Sequence, residues 1–161
     1  MKVILSRKGM DYENGGIPSP IIQSKHGYWK FYSLPIPTEN SDIRYDELYL
    51  FDDVKVSNFI GDLGLKSRKY EFCHLDPDIR ESYLKQRPIG WKRCFGQVKS
   101  AQTHLENHQI GIGDVFLFFG WFKKAEFKNG KFQYIADKDY PNGFHAIYSY
   151  LQINEIYKPN T

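Results

Sequence analysis

Cys73-His74-Leu75-Asp76-Pro77-Asp78 places a thiol, an imidazole and two carboxylates in six consecutive positions. An imidazole titrates near neutral pH, and a carboxylate beside it orients it for proton transfer. His74 and Asp76 are therefore the candidate acid–base pair. If the segment is extended, His74, Asp76 and Asp78 share a face and could ligate a metal. Zinc is disfavoured because no second ligand pair stands at a recognised spacing. The pattern implies no metal and no cofactor. A structural reading competes with the catalytic one: Asp76 caps a helix and His74 hydrogen-bonds in the core.

Other residues suit binding. Arg7 and Lys8 follow an apolar stretch, with Gly15-Gly16 nearby. Two cations and exposed glycine N–H groups could hold a phosphate. The Walker A pattern is absent, and so is the Gly-x-Ser-x-Gly nucleophile elbow. Gln97, Gln102 and His104 offer amide and imidazole hydrogen bonds, and an amide presents donor and acceptor side by side, as base edges do. Trp121 follows Gly120 where a strand reaches its rim, and could stack on a base. His145, Tyr148 and Tyr150 lie on a single apolar stretch. The candidate binding set is Arg7, Lys8, Gln97, Gln102, His104, Trp121, His145 and Tyr150. Each has a plainer reading, as a solvated helix surface or as core packing.

The elements that must position these residues follow from periodicity and turn chemistry. Lys2 to Leu5 reads as a short buried strand. Asn14-Gly15-Gly16 and Pro18-Ser19-Pro20 read as loop. Tyr28 to Ser33 is a second strand, closed by Leu34-Pro35-Ile36-Pro37. Thr38 to Lys69 carries short apolar clusters without a clear period, with a helical turn in Asn58–Leu65. Asp76 before Pro77 suits the N-cap of a short helix running toward Leu84. Gln97–Gln109 is the clearest helix, with Val98, Ala101 and Leu105 on one face. It stops at Gly111-Ile112-Gly113-Asp114. Val115–Phe119 is an apolar run that reads as a strand covered on both faces, extended by Trp121 and Phe122. Asn129-Gly130 marks a hairpin, so Lys131–Ile135 is the return strand. Phe144–Ile153 closes the chain as a further strand.

This order is α+β: a strand-rich, antiparallel curved sheet or small β-barrel with helices packed at its side or ends. Val115–Phe119, Lys131–Ile135 and Phe144–Ile153 are expected in one antiparallel sheet, with Val98, Ala101 and Leu105 packed against it. The helix, the Gly-x-Gly-Asp turn and the apolar strand are similar to the PUA-like folds of ASCH and EVE domains. The 161 residues suit a single domain, 1–161, with 41% apolar and 25% charged residues. No stretch is apolar enough to cross a bilayer, and Met1–Arg7 turns polar too early for a signal peptide. Cys73 and Cys94 form no disulfide framework. The chain reads as cytoplasmic, with no membrane partner.

Twelve Tyr, twelve Phe and three Trp make the chain 17% aromatic. Rings suit strands and also suit base stacking. Charge is polarised. Ile79–Lys99 carries six bases (Arg80, Lys85, Arg87, Lys92, Arg93, Lys99) against Glu81, a net +5. Glu39–Asp53 carries six acids against Arg44, a net −5. Such polarity can orient a polyanion, and it is equally the mark of solvated loops.

Eight blocks, in order, resemble the family called nucleotide modification associated domain 3. They are Val3-Ile4-Leu5-Ser6-Arg7-Lys8-Gly9, Gly15-Gly16-Ile17-Pro18-Ser19-Pro20, Ser33-Leu34-Pro35-Ile36-Pro37, Cys73-His74-Leu75-Asp76-Pro77-Asp78, Phe95-Gly96-Gln97, Ala101-Gln102-Thr103-His104-Leu105, Gly113-Asp114-Val115-Phe116-Leu117-Phe118-Phe119-Gly120-Trp121-Phe122 and Phe144-His145-Ala146-Ile147-Tyr148-Ser149-Tyr150-Leu151-Gln152. Ser149 departs from the glycine expected in the last block. Family members generally continue further, so the resemblance implies a truncated or short form. It implies association with systems that modify bases in DNA, and it brings no settled reaction or catalytic residue.

Three functions follow. The first is a nucleic-acid- or nucleotide-binding domain of base-modification systems. The second is an enzyme on a nucleotide or modified base, with His74 and Asp76 as acid and base and Arg7 on phosphate. The third is a structural or interaction domain. Convergence of Arg7, His74, Gln102, His104 and Trp121 on one cleft favours the first two, and their scatter favours the third.

Overall fold

The computed structural model describes residues 1–66 and 70–157. Positions 67–69, at the end of the Thr38–Lys69 stretch, lie outside the described residues. In chain order the elements are β1 (Val3–Arg7), β2 (Ser19–Gln23), β3 (Trp29–Phe31), β4 (Ile36–Pro37), β5 (Tyr49–Phe51), β6 (Val54–Lys55), α1 (Val56–Asp62), β7 (Cys73–His74), α2 (Lys99–Asn107), β8 (Val115–Lys128), β9 (Lys131–Tyr134) and β10 (Phe144–Gln152). A 3-10 turn spans Glu81–Tyr83. The fold is the expected strand-rich α+β arrangement with a curled sheet.

The apolar run and its aromatic extension form one strand of 14 residues, β8. Its length lets four strands pair with it. Along one edge β1 pairs with Val115–Phe119 and β2 with Phe122–Ala125, both parallel. Along the other, β10 pairs with Val115–Phe122 and β9 with Ala125–Lys128, both antiparallel. β3 then adds to β2. The expected antiparallel set of β8, β9 and β10 is present, but the sheet is mixed, because β1 and β2 run parallel to β8. Asn129 and Gly130 both have positive φ, 54° and 78°. That is the mirror-image turn an Asn-Gly hairpin requires.

β8 does not bury one face throughout. Phe116 and Phe118 are buried while Val115, Leu117 and Phe119 are half-exposed. Gly120, Trp121 and Phe122 are buried in succession, and beyond them Ala125 faces the main core. So Val115–Phe119 is not covered on both faces. Phe95 packs on Phe116 and Phe118, with ring centroids 4.7 and 5.2 Å apart, on the even-numbered side. The odd side keeps its alternation with solvent. β1 shares that outer face, so it is no buried strand: Val3 and Leu5 stay exposed.

The main core is built by the Thr38–Lys66 stretch, in which the sequence showed no period. Tyr45, Leu48, Leu50, Val56, Phe59 and Ile60 are buried there, against Leu34, Ala125 and Phe132. Tyr45 donates its buried hydroxyl to the Pro35 carbonyl at 2.6 Å. Short strands and one two-turn helix, rather than a long amphipathic element, explain the missing period.

Three further expectations are corrected. Pro18-Ser19-Pro20 is not all loop. Ser19 and Pro20 open β2, where a missing N–H is best tolerated, and the Pro20 carbonyl still accepts the Tyr32 N–H. No helix follows Asp76, whose carboxylate is used in long-range contacts instead of capping. α2 forms as expected, but it buries no residue, and Val98 is exposed. Two apolar side chains, Ala101 and Leu105, give this helix too little apolar surface to dock on the sheet.

The Gly-x-Gly-Asp turn fastens the start of β8 to the start of β1. The Asp114 carboxylate accepts the Lys2 N–H at 2.6 Å and the Gly111 N–H at 3.0 Å. These two bonds hold its pKa below the usual 3.8. A depressed carboxyl pKa stabilises the fold above the unfolded value, and that contribution is lost as pH falls through the folded value. The stability gap between the native chain and Asp114→Asn, from urea unfolding, should be full at neutral pH and close below about pH 3.8. A gap that does not change with pH refutes the assignment.

Gly120 marks the other close approach. A Cβ there would stand 2.7 Å from the Lys8 carbonyl oxygen. Gly120→Ala should cost about 1–3 kcal/mol in urea unfolding, as overpacking does. An unchanged midpoint refutes it.

Candidate functional site

The segment from Leu75 to Val98 is mostly irregular; the Asp76–Lys8 ion pair ties it to the end of β1, and Asp78 braces it internally. Asp76 takes the Lys8 ammonium at 2.8 Å on Oδ2 and the Gly96 N–H at 3.0 Å on Oδ1. Lys8 follows β1 directly, and its ammonium lies 4.3 Å from the Phe95 ring centroid. Asp78 accepts two bonds from the Arg87 guanidinium, at 2.6 and 2.9 Å, and the Trp91 indole N–H at 2.9 Å. All four charged side chains are at most 16% exposed. Both carboxylates of the Cys73–Asp78 motif thus anchor the chain.

The anchored segment and the sheet enclose a pocket of about 420 Å³. Its walls come from separate segments: Gly9 after β1, Phe31 of β3, Ser33 and Pro35, Leu75 to Tyr83, Arg93, and Tyr148 with Ser149 in β10. β10 pairs Ile147 with Phe119 and Ser149 with Phe118, so Tyr148 is an extra, bulged residue. A bulge re-aims a side chain, and this one turns Tyr148 into the pocket, beside Phe122. Tyr83 donates its hydroxyl to the Ser33 carbonyl. Burial raises the pKa of both phenols, so they stay protonated at neutral pH. The Arg80 guanidinium packs on the rings of Tyr32 and Tyr83.

The pocket gathers four of the eight blocks quoted above, including Ser149 in the last. Of the sequence candidates, it holds Asp76, with Lys8 behind it. Ser33 and Tyr83 were missed, and Arg80 and Arg93 stood out only as members of the basic run. Ser33 and Tyr83 stand alone in irregular stretches that gave no periodic signal, and beside the charge run only the Ser33–Pro37 block hinted at the wall.

The remaining candidates lie elsewhere. His74 is exposed on β7, and its carbonyl accepts the Asp76 N–H, while the Asp76 carboxylate goes to Lys8 and Gly96. Arg7, Trp121, His145 and Tyr150 share the outer face of the sheet, as their register with β8 requires. There Arg7 pairs with Asp11 at 2.9 Å. Trp121 is stacked by Tyr12 at 4.6 Å and donates to the Asn142 carbonyl. Gln102 donates to Glu106 within α2, and His104 lies against His108. Gln97 precedes that helix. Arg7, His74, Gln102, His104 and Trp121 do not meet in one cleft. None of the five histidines lines the pocket. Among the described residues no three His, Cys, Asp or Glu side chains form a metal cluster. Burial pushes the Cys73 thiol up to about 12, which leaves no thiolate at neutral pH.

The basic run is largely neutralised. Arg87 pairs with Asp78, Lys85 with Asp53 and Lys92 with Glu155. Arg80 donates to the Leu50 carbonyl and stacks on two rings. Among the described residues Arg93 and Lys99 alone of this run lack a partner, and Arg93 stands at the pocket.

The sequence model of a family described as nucleotide modification associated domain 3 matches residues 2–161, essentially the whole chain. No curated protein and no solved structure matches it. No helix among the described residues is long and apolar enough to cross a membrane.

Removing one partner of a desolvated ion pair leaves the other uncompensated. Asp78→Ala should therefore destabilise the chain by about 3–5 kcal/mol in urea unfolding. A loss below about 1 kcal/mol shows that Arg87 and Trp91 hold the segment without it.

Proposed function

The chain belongs to the nucleotide modification associated domain 3 family, and on that premise we propose that it binds a nucleotide in the pocket between β10 and the Leu75–Tyr83 segment. One observation carries this reading: an unpartnered guanidinium, Arg93, stands at a pocket walled by aromatic rings. A nucleotide needs both, an aromatic surface for the base and a cation for the phosphate. Phe31, Tyr83 and Tyr148 supply the surface. The volume of about 420 Å³ falls in the range of small-molecule sites. The walls are fixed by ion pairs and hydrogen bonds, so little ordering accompanies binding. Association with nucleotide modification, as the family's description states, would make the bound unit a nucleotide of such a system.

Binding is favoured over acid–base catalysis in this pocket. Its phenols are protonated and imidazole is absent from its walls. Of its two carboxylates, Asp76 is engaged by Lys8 and Gly96, and no imidazole stands beside Glu81 to complete an acid–base pair.

The test is calorimetric titration with nucleoside monophosphates and a short single-stranded oligonucleotide. Arg93→Ala should weaken binding on the order of tenfold, since a charge-assisted hydrogen bond contributes about 1.5–3 kcal/mol. It should also flatten the salt dependence. Lys92→Ala, whose cation faces Glu155, should bind as the native chain does. Equal loss in both variants, or in neither, sinks the assignment of Arg93.

A further inference from the structure

We propose that the bound base is guanine, read on its Watson–Crick edge by Asp76; this rests on the nucleotide-binding reading above. Each oxygen of Asp76 has two lone pairs. Lys8 occupies one on Oδ2 and Gly96 one on Oδ1, at 2.8 and 3.0 Å. One acceptor site on each oxygen remains. The side chain is only 11% exposed, and it lines the pocket. Because Asp76 lines the pocket, a ligand seated there is the partner we assign to this unused capacity.

The carboxylate is also fixed in place. Lys8 is 14% exposed and seated over Phe95, and Gly96 belongs to the backbone. A fixed carboxylate paired with an ammonium accepts and does not donate. Its partner must present two adjacent donors to use both oxygens. Guanine does so through N1–H and the N2 amine. Adenine and cytosine place a ring acceptor beside their one exocyclic donor. Uracil and thymine flank a single N–H with two carbonyl oxygens, whose lone pairs face the carboxylate. Polar sites that hold a donor pair reject analogues lacking it more strongly than apolar pockets reject shape changes. On the same wall the Tyr148 hydroxyl, which accepts from the Ser33 side chain, can donate its own proton to a base carbonyl such as O6. The bases are thus separated by the donor and acceptor pattern of one edge.

The experiment titrates the full chain calorimetrically with GMP, IMP, AMP, CMP and UMP. IMP keeps N1–H and O6 and lacks only the N2 amine. GMP should bind about tenfold or more tightly than IMP, and more tightly again than AMP, CMP and UMP. Equal affinities across the five, or a tighter pyrimidine or adenine nucleotide, overturn the guanine assignment and leave nucleotide binding intact. No binding of any of the five overturns both. Asp76→Asn, checked by circular dichroism, should abolish the preference for GMP over IMP. The panel on the native chain decides the question even where that variant fails to fold.

Discussion

The structure depends on the backbone hydrogen bonds of a single strand. Every strand of the six-stranded sheet except β3 pairs with β8, two on each edge, and β3 reaches it through β2. A strand of 14 residues is long against the usual 5–6, and that length is what lets two edge strands follow one another on each side. The switch in buried side at Gly120–Phe122 divides it. The first half buries its even residues under Phe95, and the second faces the main core built by Thr38–Lys66. The hand-over site is also where β1 ends and delivers Lys8. The Lys8 N–H donates to the Phe119 carbonyl at 2.8 Å. The position of the ammonium that grips Asp76 is therefore set by β8.

From this the pocket follows. Irregular backbone between Leu75 and Val98 makes few ladder bonds of its own. Two carboxylates, two cations and an indole N–H substitute for a ladder. In surroundings at most 16% exposed, such pairs are screened less than surface pairs. They add little net stability over apolar packing, yet they specify geometry strictly, because a misplaced segment would bury charges without partners. The bulge at Tyr148 does the same on the opposite wall. A binding site framed by such constraints keeps its shape without a ligand.

Much of the fold was legible in the sequence, and the reasons differ by element. The Asn129-Gly130 hairpin, the apolar strand and the closing strand were read from turn chemistry and β propensity, which act locally. α2 was visible from helical spacing, and α1 only as a helical turn in Asn58–Leu65. The parallel pairing of β1 and β2 with β8 was not visible, since nothing in a strand states its partner. Nor was the core within Thr38–Lys66, whose apolar residues serve elements too short to show a period. Val98, Ala101 and Leu105 had helical spacing without enough apolar area to dock. At the site, the Cys73–Asp78 motif drew notice for its chemistry, and Asp76 does reach the pocket. Its carboxylate meets Lys8, 68 positions away, a relation that local spacing cannot express. The candidate residues Arg7, Trp121, His145 and Tyr150 fell on the outer sheet face because each is, or pairs with, an odd position of β8.

The charge pattern shows how far a local count can mislead. A net +5 over Ile79–Lys99 suggests a broad polyanion surface. Folding brings Asp53 to Lys85, Asp78 to Arg87 and Glu155 to Lys92, and stacks Arg80 on two tyrosine rings. What survives is focused: Arg93 at the pocket, with Lys99 beyond it at the start of α2. A dispersed basic face would attract any polyanion at long range and fix none. One cation left without a partner, beside a ring-lined pocket of about 420 Å³, instead selects a ligand that joins an anionic group to a flat apolar body. The polar residues within the wall then choose among such bodies by donor and acceptor pattern, and the acceptor already oriented there is Asp76.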